Sequence, residues 1–171
     1  MGLVVKNLYD DADFWVTRVA DAKNHNDPFR SVSRAGSHAW RSIIKGRLDI
    51  MSEKIQPSES VLDAGCSFGW LSQHITNDYV GVDQTPALVE YGRELYPDVT
   101  LILGKLQELP FDDNSFDWIV CSCVKYGIVE CEEGGLMPPG RWEKIESEFL
   151  RVAKGAIIWP SYQPEYEIIL R

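Results

Sequence analysis

The sequence predicts an α/β fold: a doubly wound, mostly parallel sheet with N-terminal helices before it and a shortened C-terminal edge. Three observations predict it. From residue 58 onward short apolar segments alternate with helical ones, the pattern of strands joined by helical crossovers. The segment WIVCSC at 118–123 is apolar on both faces, as a strand covered by helices on either side must be. Finally, VLDAG at 61–65 ends an apolar run on an aspartate and a glycine. That is the carboxyl end of the first strand, where such sheets place their binding loops.

Residues 1–57 read as an N-terminal helical cap on the substrate side, and residues 58–171 as the core; together they make one compact domain. In the cap, Asn24-His25-Asn26-Asp27-Pro28 is a turn cluster, preceded by a short segment carrying Phe14, Trp15 and Val19. Trp40, Ile43, Ile44, Leu48, Met51 and Ile55 then recur at helical spacing and form one apolar stripe. Pro57-Ser58-Glu59 breaks the chain. A first strand is expected over 60–63, a short helix over 69–75 and a second strand over 79–83. Thr85 can cap a third helix, with Pro86 at its first position, where a missing N–H does no harm. Tyr96-Pro97 ends that helix. Further strands are expected over 99–103, 118–123, 156–159 and 167–170, with a helix over 141–153 whose stripe is Trp142, Ile145, Phe149 and Val152.

Composition narrows the function classes. A chain of 171 residues supports one domain with a sizeable core. The formal charge of −9 argues against a nucleic-acid partner, because phosphate binding needs clustered Lys and Arg. The richest basic run, holding Arg30, Arg34, Arg41, Lys45 and Arg47, reads as a solvated helix face. The first residues turn acidic before a signal-like apolar stretch develops, and no apolar run approaches the ~20 residues of a membrane span. The expected location is the cytoplasm, with no membrane partner. Cys66, Cys121, Cys123 and Cys131 lack the paired spacing of a structural zinc site, and no metal is expected.

The loop after the first strand excludes two common ligands. A triphosphate loop needs a Lys that is absent, and the dinucleotide pattern G-x-G-x-x-G fails because Ser67 stands at its second glycine. What remains is Asp63-x-Gly65-x-x-x-Gly69. A carboxylate beside the turn disfavours a pyrophosphate and favours a ligand with positive charge, such as a sulfonium or ammonium. Asp83 ends the second strand, where an acid accepts hydrogen bonds from both ribose hydroxyls. Ribose with a cationic tail and no phosphates describes S-adenosylmethionine.

Over about residues 58–160 the sequence resembles the class I S-adenosylmethionine-dependent methyltransferases. VLDAGCSFGWLS is similar to their first motif, YVGVDQTPALVEYGR to the second and GKLQELPFDDNSFDWIVCSCV to the third, with FLRVAKGAIIW as the helix and fifth strand. The resemblance implies a Rossmann-like fold with S-adenosyl-L-methionine as cofactor. It implies that Asp63, Gly65, Cys66, Phe68 and Gly69 surround the methionine part, largely through backbone groups, and that Asp83 holds the ribose with Gln84 beside the adenine. Lys105 and Leu106 would flank the other adenine face, and Cys121 and Ser122 would line the floor near the methionyl amine. The family often has Asp at the place of Lys105, accepting from the adenine amino group. Lys cannot accept, so the adenine is held by backbone, or more weakly, or Lys105 turns outward.

The resemblance implies a methyltransferase acting on a small-molecule or sugar-like acceptor. Two alternatives stay open: a non-catalytic module or subunit that binds the cofactor, and an enzyme using it for aminopropyl transfer. The fourth-strand exit CSCVKYG lacks the (N/D)-P-P-(Y/F) pattern suited to amide or adenine nitrogens. Acceptor contacts are expected from 25–40, 126–141 and 161–166, with His25, His38, Tyr126 and Glu130 as candidate bases. Tyr126 and His38 are the catalytic candidates carried forward. The short C-terminal segment leaves an edge strand, which favours a homodimer.

Overall fold

The computed structural model describes residues 11–33, 36–161 and 163–171. Helix α1 spans Ala12–His25; Asp11 starts it by accepting from the Phe14 N–H at 3.0 Å, and left-handed Asn26 ends it. What the sequence suggested as a short segment is therefore a full helix, continued by a 3₁₀ turn over Pro28–Ser31 and then α2 over Gly36–Lys54. Strand β1 is Val61–Ala64, β2 Tyr79–Asp83, β3 Thr100–Leu103, β4 Phe116–Ser122, β5 Ala153–Trp159 and β6 Glu167–Leu170. Helix α3 is Pro86–Leu95, α4 Lys125–Glu133 and α5 Arg141–Val152.

The six strands order as β3-β2-β1-β4-β5-β6, parallel except for β6, which runs antiparallel to β5. Neighbours β1 and β4 are not consecutive in the chain, so the connections leave their carboxyl ends in opposite directions and open a crevice there. Side chains alternate between two cores as the pleat requires. Leu62, Ile119, Ala156 and Ile158 pack with Ile128, Trp142, Ile145 and Phe149 of α4 and α5. Val61, Val120, Ile157 and Trp159 pack on the opposite face with Val19, Ala22, Trp40, Met51 and Ile55 of α1, α2 and the segment after it. The cap and the sheet thus share one hydrophobic core.

Three local expectations change. The 69–75 segment forms only a 3₁₀ turn, Trp70–Gln73, closed by the Ser72 N–H on the Gly69 carbonyl at 3.1 Å and the His74 N–H on the Leu71 carbonyl at 2.9 Å. Thr85 sits at the N-cap of α3 without capping it; its hydroxyl turns to Asp83, whose Oδ1 accepts the Thr85 N–H at 2.9 Å. Helix α4 lies where the sequence suggested a loop. It carries an interior glycine, Gly127, and begins without a side-chain cap, so it lacks the usual signals. Packing of Ile128 and Cys131 into the core holds it. Its Glu132 then caps α5, accepting from the N–H groups of Arg141 and Trp142 at 2.7 and 3.0 Å.

Candidate functional site

The loop after β1 is built from three left-handed residues: Gly65 at φ +78°, Ser67 at +55° and Gly69 at +78°. The Gly65 and Cys66 N–H groups both donate to the Val82 carbonyl, at 2.8 and 3.0 Å, which folds the loop over the end of β2. The Ser67 N–H donates to Asp83 Oδ2 at 2.9 Å. Asp83 therefore ties two turns together, one through each oxygen. The Thr85 hydroxyl and the Gln84 N–H also donate to Asp83, so a ligand hydroxyl would share or displace one of these donors at the carboxylate.

Two cavities open at the carboxyl ends of the strands. The larger, about 290 Å³, has Gly65, Ser67, Asp83, Thr85 and Ser122 on the sheet side. Phe14, Trp15, Arg18, Val32 and Trp40 line it from the N-terminal segment, and Trp70 from the turn that follows the loop. The smaller has Gln84, Leu106, Gln107 and Arg141 at its wall and shares Gly65, Asp83 and Val124 with the larger. A Cβ added at Gly65 would meet Val124 Cγ2 at 2.6 Å, so only glycine fits at this junction.

These placements sort the sequence candidates. Gly65, Asp83, Gln84, Leu106 and Ser122 line the cavities. Asp63 does not: it is 4% exposed, beneath the loop, where the Tyr79 hydroxyl donates to its Oδ2 at 2.9 Å. Burial, together with the nearby Asp83 charge, pushes its pKa up to about 7 against the Tyr79 hydrogen bond. Its side chain supports the loop from beneath, through the bond from Tyr79. The side chains of Cys66, Phe68 and Cys121 are buried in the cores. Burial holds both thiols well above their ordinary pKa. The Phe68 ring meets Phe29 edge-on at 5.2 Å, which docks the cap on the loop. Gly69 starts the 3₁₀ turn, and Lys105 is exposed, turned outward.

The catalytic candidates lie away from both cavities. Tyr126, on α4, is 56% exposed, and the hydrogen bond from its hydroxyl to Glu130 raises its pKa. A phenol so placed is a poor base at neutral pH. His38 is exposed on α2, and His25 is bonded to the Asp21 carbonyl on α1. None of His25, His38, Tyr126 and Glu130 is at a cavity wall.

Arg47 was missed. Expected on a solvated face, it is 3% exposed. Its Nε donates to Ser122 Oγ at 3.0 Å, Nη2 to the Ser161 carbonyl at 2.8 Å and Nη1 to the Gln163 carbonyl at 3.4 Å. Its guanidinium lies over the Trp159 ring, 4.9 Å from the centroid. Its position between Ile43, Ile44 and Leu48 in the stripe was the available signal, since a helix face 100° wide includes it. Arg34 and Tyr162, within the expected basic run and acceptor region, lie outside the described residues.

The profile of the family described as Methyltransferase domain matches residues 61–153, more than half of the chain. The chain belongs to the class I S-adenosylmethionine-dependent methyltransferases. It is 29% identical over 126 residues to a demethylmenaquinone methyltransferase of Paenarthrobacter aurescens, covering 72% of this chain and 44% of that protein. It is also 29% identical over 111 residues to the ubiquinone/menaquinone biosynthesis C-methyltransferase of Citrifermentans bemidjiense, covering 58% of this chain and 44% of that one. The chain thus spans about half the length of the curated relatives it matches. Among solved structures, the PH0226 protein of Pyrococcus horikoshii shares the fold with TM-score 0.59 at 22% identity, over 70% of this chain and 57% of that one. A putative methyltransferase in complex with the Trm112 activator of Haloferax volcanii gives 0.60 at 19%, over 88% and 59%.

Methyltransferases of this class use S-adenosylmethionine, and the donor set fits it. Asp83, a carboxylate at the end of β2, lines both cavities, and Ser67 and Gln107, which line one each, carry a buried side-chain oxygen with no hydrogen-bond partner among the described residues. Among those residues, no helix is long and apolar enough to cross a membrane.

Proposed function

We propose that this chain binds S-adenosylmethionine along the two joined cavities and methylates a small planar acceptor held against its N-terminal helices. One observation carries the reading: a single cavity is lined by Asp83 and the left-handed loop together with Phe14, Trp15 and Trp40 of the N-terminal helices. Asp83 would accept the ribose hydroxyls, Gly65 and Ser67 would border the methionine part, and Gln84 and Leu106 would flank the base. The bound cofactor supplies a methyl group on a positively charged sulfur, whose leaving group is neutral.

The chain's own contribution is then proximity and orientation. The aromatic wall stacks a flat ring, and the buried loop excludes water from it. The relatives named for quinone methylation support a ring acceptor over a sugar-like one. No proton step is given to Tyr126 or His38, which the fold keeps away from the cavities. The test is incubation with methyl-labelled cofactor and a demethylated naphthoquinol. The reading predicts label in the ring product and release of S-adenosylhomocysteine only when the acceptor is present. Tight cofactor binding with no turnover on any quinol would sink the acceptor assignment.

A further inference from the structure

The two edges of the sheet are finished differently. At the β3 edge the Gly104 N–H donates to the Asp83 carbonyl of β2 at 3.0 Å. Backbone groups alternate in direction along a strand, so the Leu101 carbonyl points away from β2. Arg93 of α3 covers it, donating from Nε at 3.2 Å and from Nη2 at 2.6 Å. A charged side chain laid on an edge keeps other strands away.

At the other edge the Arg171 N–H donates to the Lys154 carbonyl at 3.1 Å. The same alternation turns the backbone of Glu167 and Ile169 toward β5 and that of Ile168 and Leu170 outward. Among the described residues, no side chain covers these groups as Arg93 covers Leu101. Their side chains are open as well: Ile168 is 39% and Leu170 67% exposed.

This edge is complementary to itself. It reads Glu167-Ile168-Ile169-Leu170-Arg171. Antiparallel pairing about Ile169 sets Ile168 opposite Leu170 of a second copy, where both face outward and can exchange two hydrogen bonds. It also sets Glu167 opposite Arg171, an attractive cross-strand pair. Both charges have partners within the chain that leave room for this. Glu167 holds Lys125 through Oε2 at 2.5 Å, and Arg171 uses one guanidinium nitrogen on Asn114.

We propose that β6 is an interaction surface for a second copy of this chain: the two strands pair antiparallel about Ile169 and join two six-stranded sheets into one. The two-fold axis reverses the strands, so the two crevices open at opposite ends of the joined sheet and each keeps its own ligands. The pairing holds whichever ligand the cavities take.

Analytical ultracentrifugation of the full chain over a concentration series tests it. The wild type should show a monomer–dimer equilibrium that reaches twice the chain mass. Leu170→Pro removes an outward N–H and no bond to β5, so it should abolish the dimer while the circular dichroism spectrum stays that of the wild type. Arg171→Glu and Glu167→Arg each set like charges opposite one another and should weaken self-association about tenfold. An equimolar mixture of these two variants restores opposite charges across the pair and should form a heterodimer. That recovery decides the matter even if the proline variant unfolds. A wild type that stays monomeric at every concentration overturns the proposal. So does a dimer that survives Leu170→Pro in a folded chain, or a mixture that associates no better than its components.

Discussion

The two walls of the larger cavity at the strand ends are made in different ways. The sheet wall is held by hydrogen bonds of 2.8–3.0 Å from loop N–H groups to Val82 and Asp83, in the two turns after β1 and β2. The cap wall is held by ring contacts: Phe29 lies 5.7 Å from Trp40 and 5.2 Å from Phe68, and Trp40 lies 5.9 Å from Trp70. Directional bonds fix atoms in place, whereas ring packing fixes only shape and area. A site made this way can keep one wall for an invariant cofactor and change the other for a new acceptor. Arg47 joins the two: it starts on α2 and ends on the exits of β4 and β5.

Changes on each wall should separate these roles. The largest effect is expected beneath the sheet wall. Asp63 has a folded pKa of about 7 against an ordinary 3.8. Between those values the folded chain holds a proton that the unfolded chain lacks, so this stability is present below pH 4 and lost as pH rises toward 7. The difference in unfolding free energy between wild type and Asp63→Asn should change over that window by on the order of 4 kcal/mol. Urea melts at several pH values read it; a pH-independent difference would remove Asp63 from the balance. Next comes the joint. Arg47→Ala removes the charged donor from Ser122 Oγ and the Ser161 carbonyl, which keep only the Cys123 thiol beside them, and should cost about 2 kcal/mol by denaturant midpoint, since a buried group that loses its partner costs about 1–3. A loss below 1 kcal/mol would mean that the cap is held by its rings alone. The smallest effect belongs to the cap wall. Trp15→Ala should raise the acceptor KM about tenfold, as expected of one lost aromatic contact, while the affinity for S-adenosylhomocysteine stays put. Equal losses for both ligands would break the division between the walls.

The same contrast governs what could be read in the sequence. The loop at 65–69 and the acids at 63 and 83 are legible because positive φ angles and strand ends dictate residue types at fixed spacing. The doubly wound, mostly parallel sheet follows from the alternation of elements. The sequence does not say which way a side chain faces: Asp63 carries the motif but lies under the loop. Tyr126 has the right chemistry but sits on a helix that points it to solvent. Arg47 has the chemistry of a surface residue and is buried because Ser122, Trp159, Ser161 and Gln163 meet it. Gln107 is an ordinary polar residue until the turn at 105–108 sets it against Leu106 and Arg141. These are long-range facts, fixed by packing between segments far apart in the chain.

The central claim is that the sheet wall binds S-adenosylmethionine through Asp83. Isothermal titration of the wild type and Asp83→Ala with S-adenosylhomocysteine tests it most directly. The account predicts one site per chain, weakened about ten- to a hundredfold in the variant by loss of charge-assisted hydrogen bonds worth ~1.5–3 kcal/mol. Equal affinity in both proteins, or no binding by the folded wild type, would contradict it.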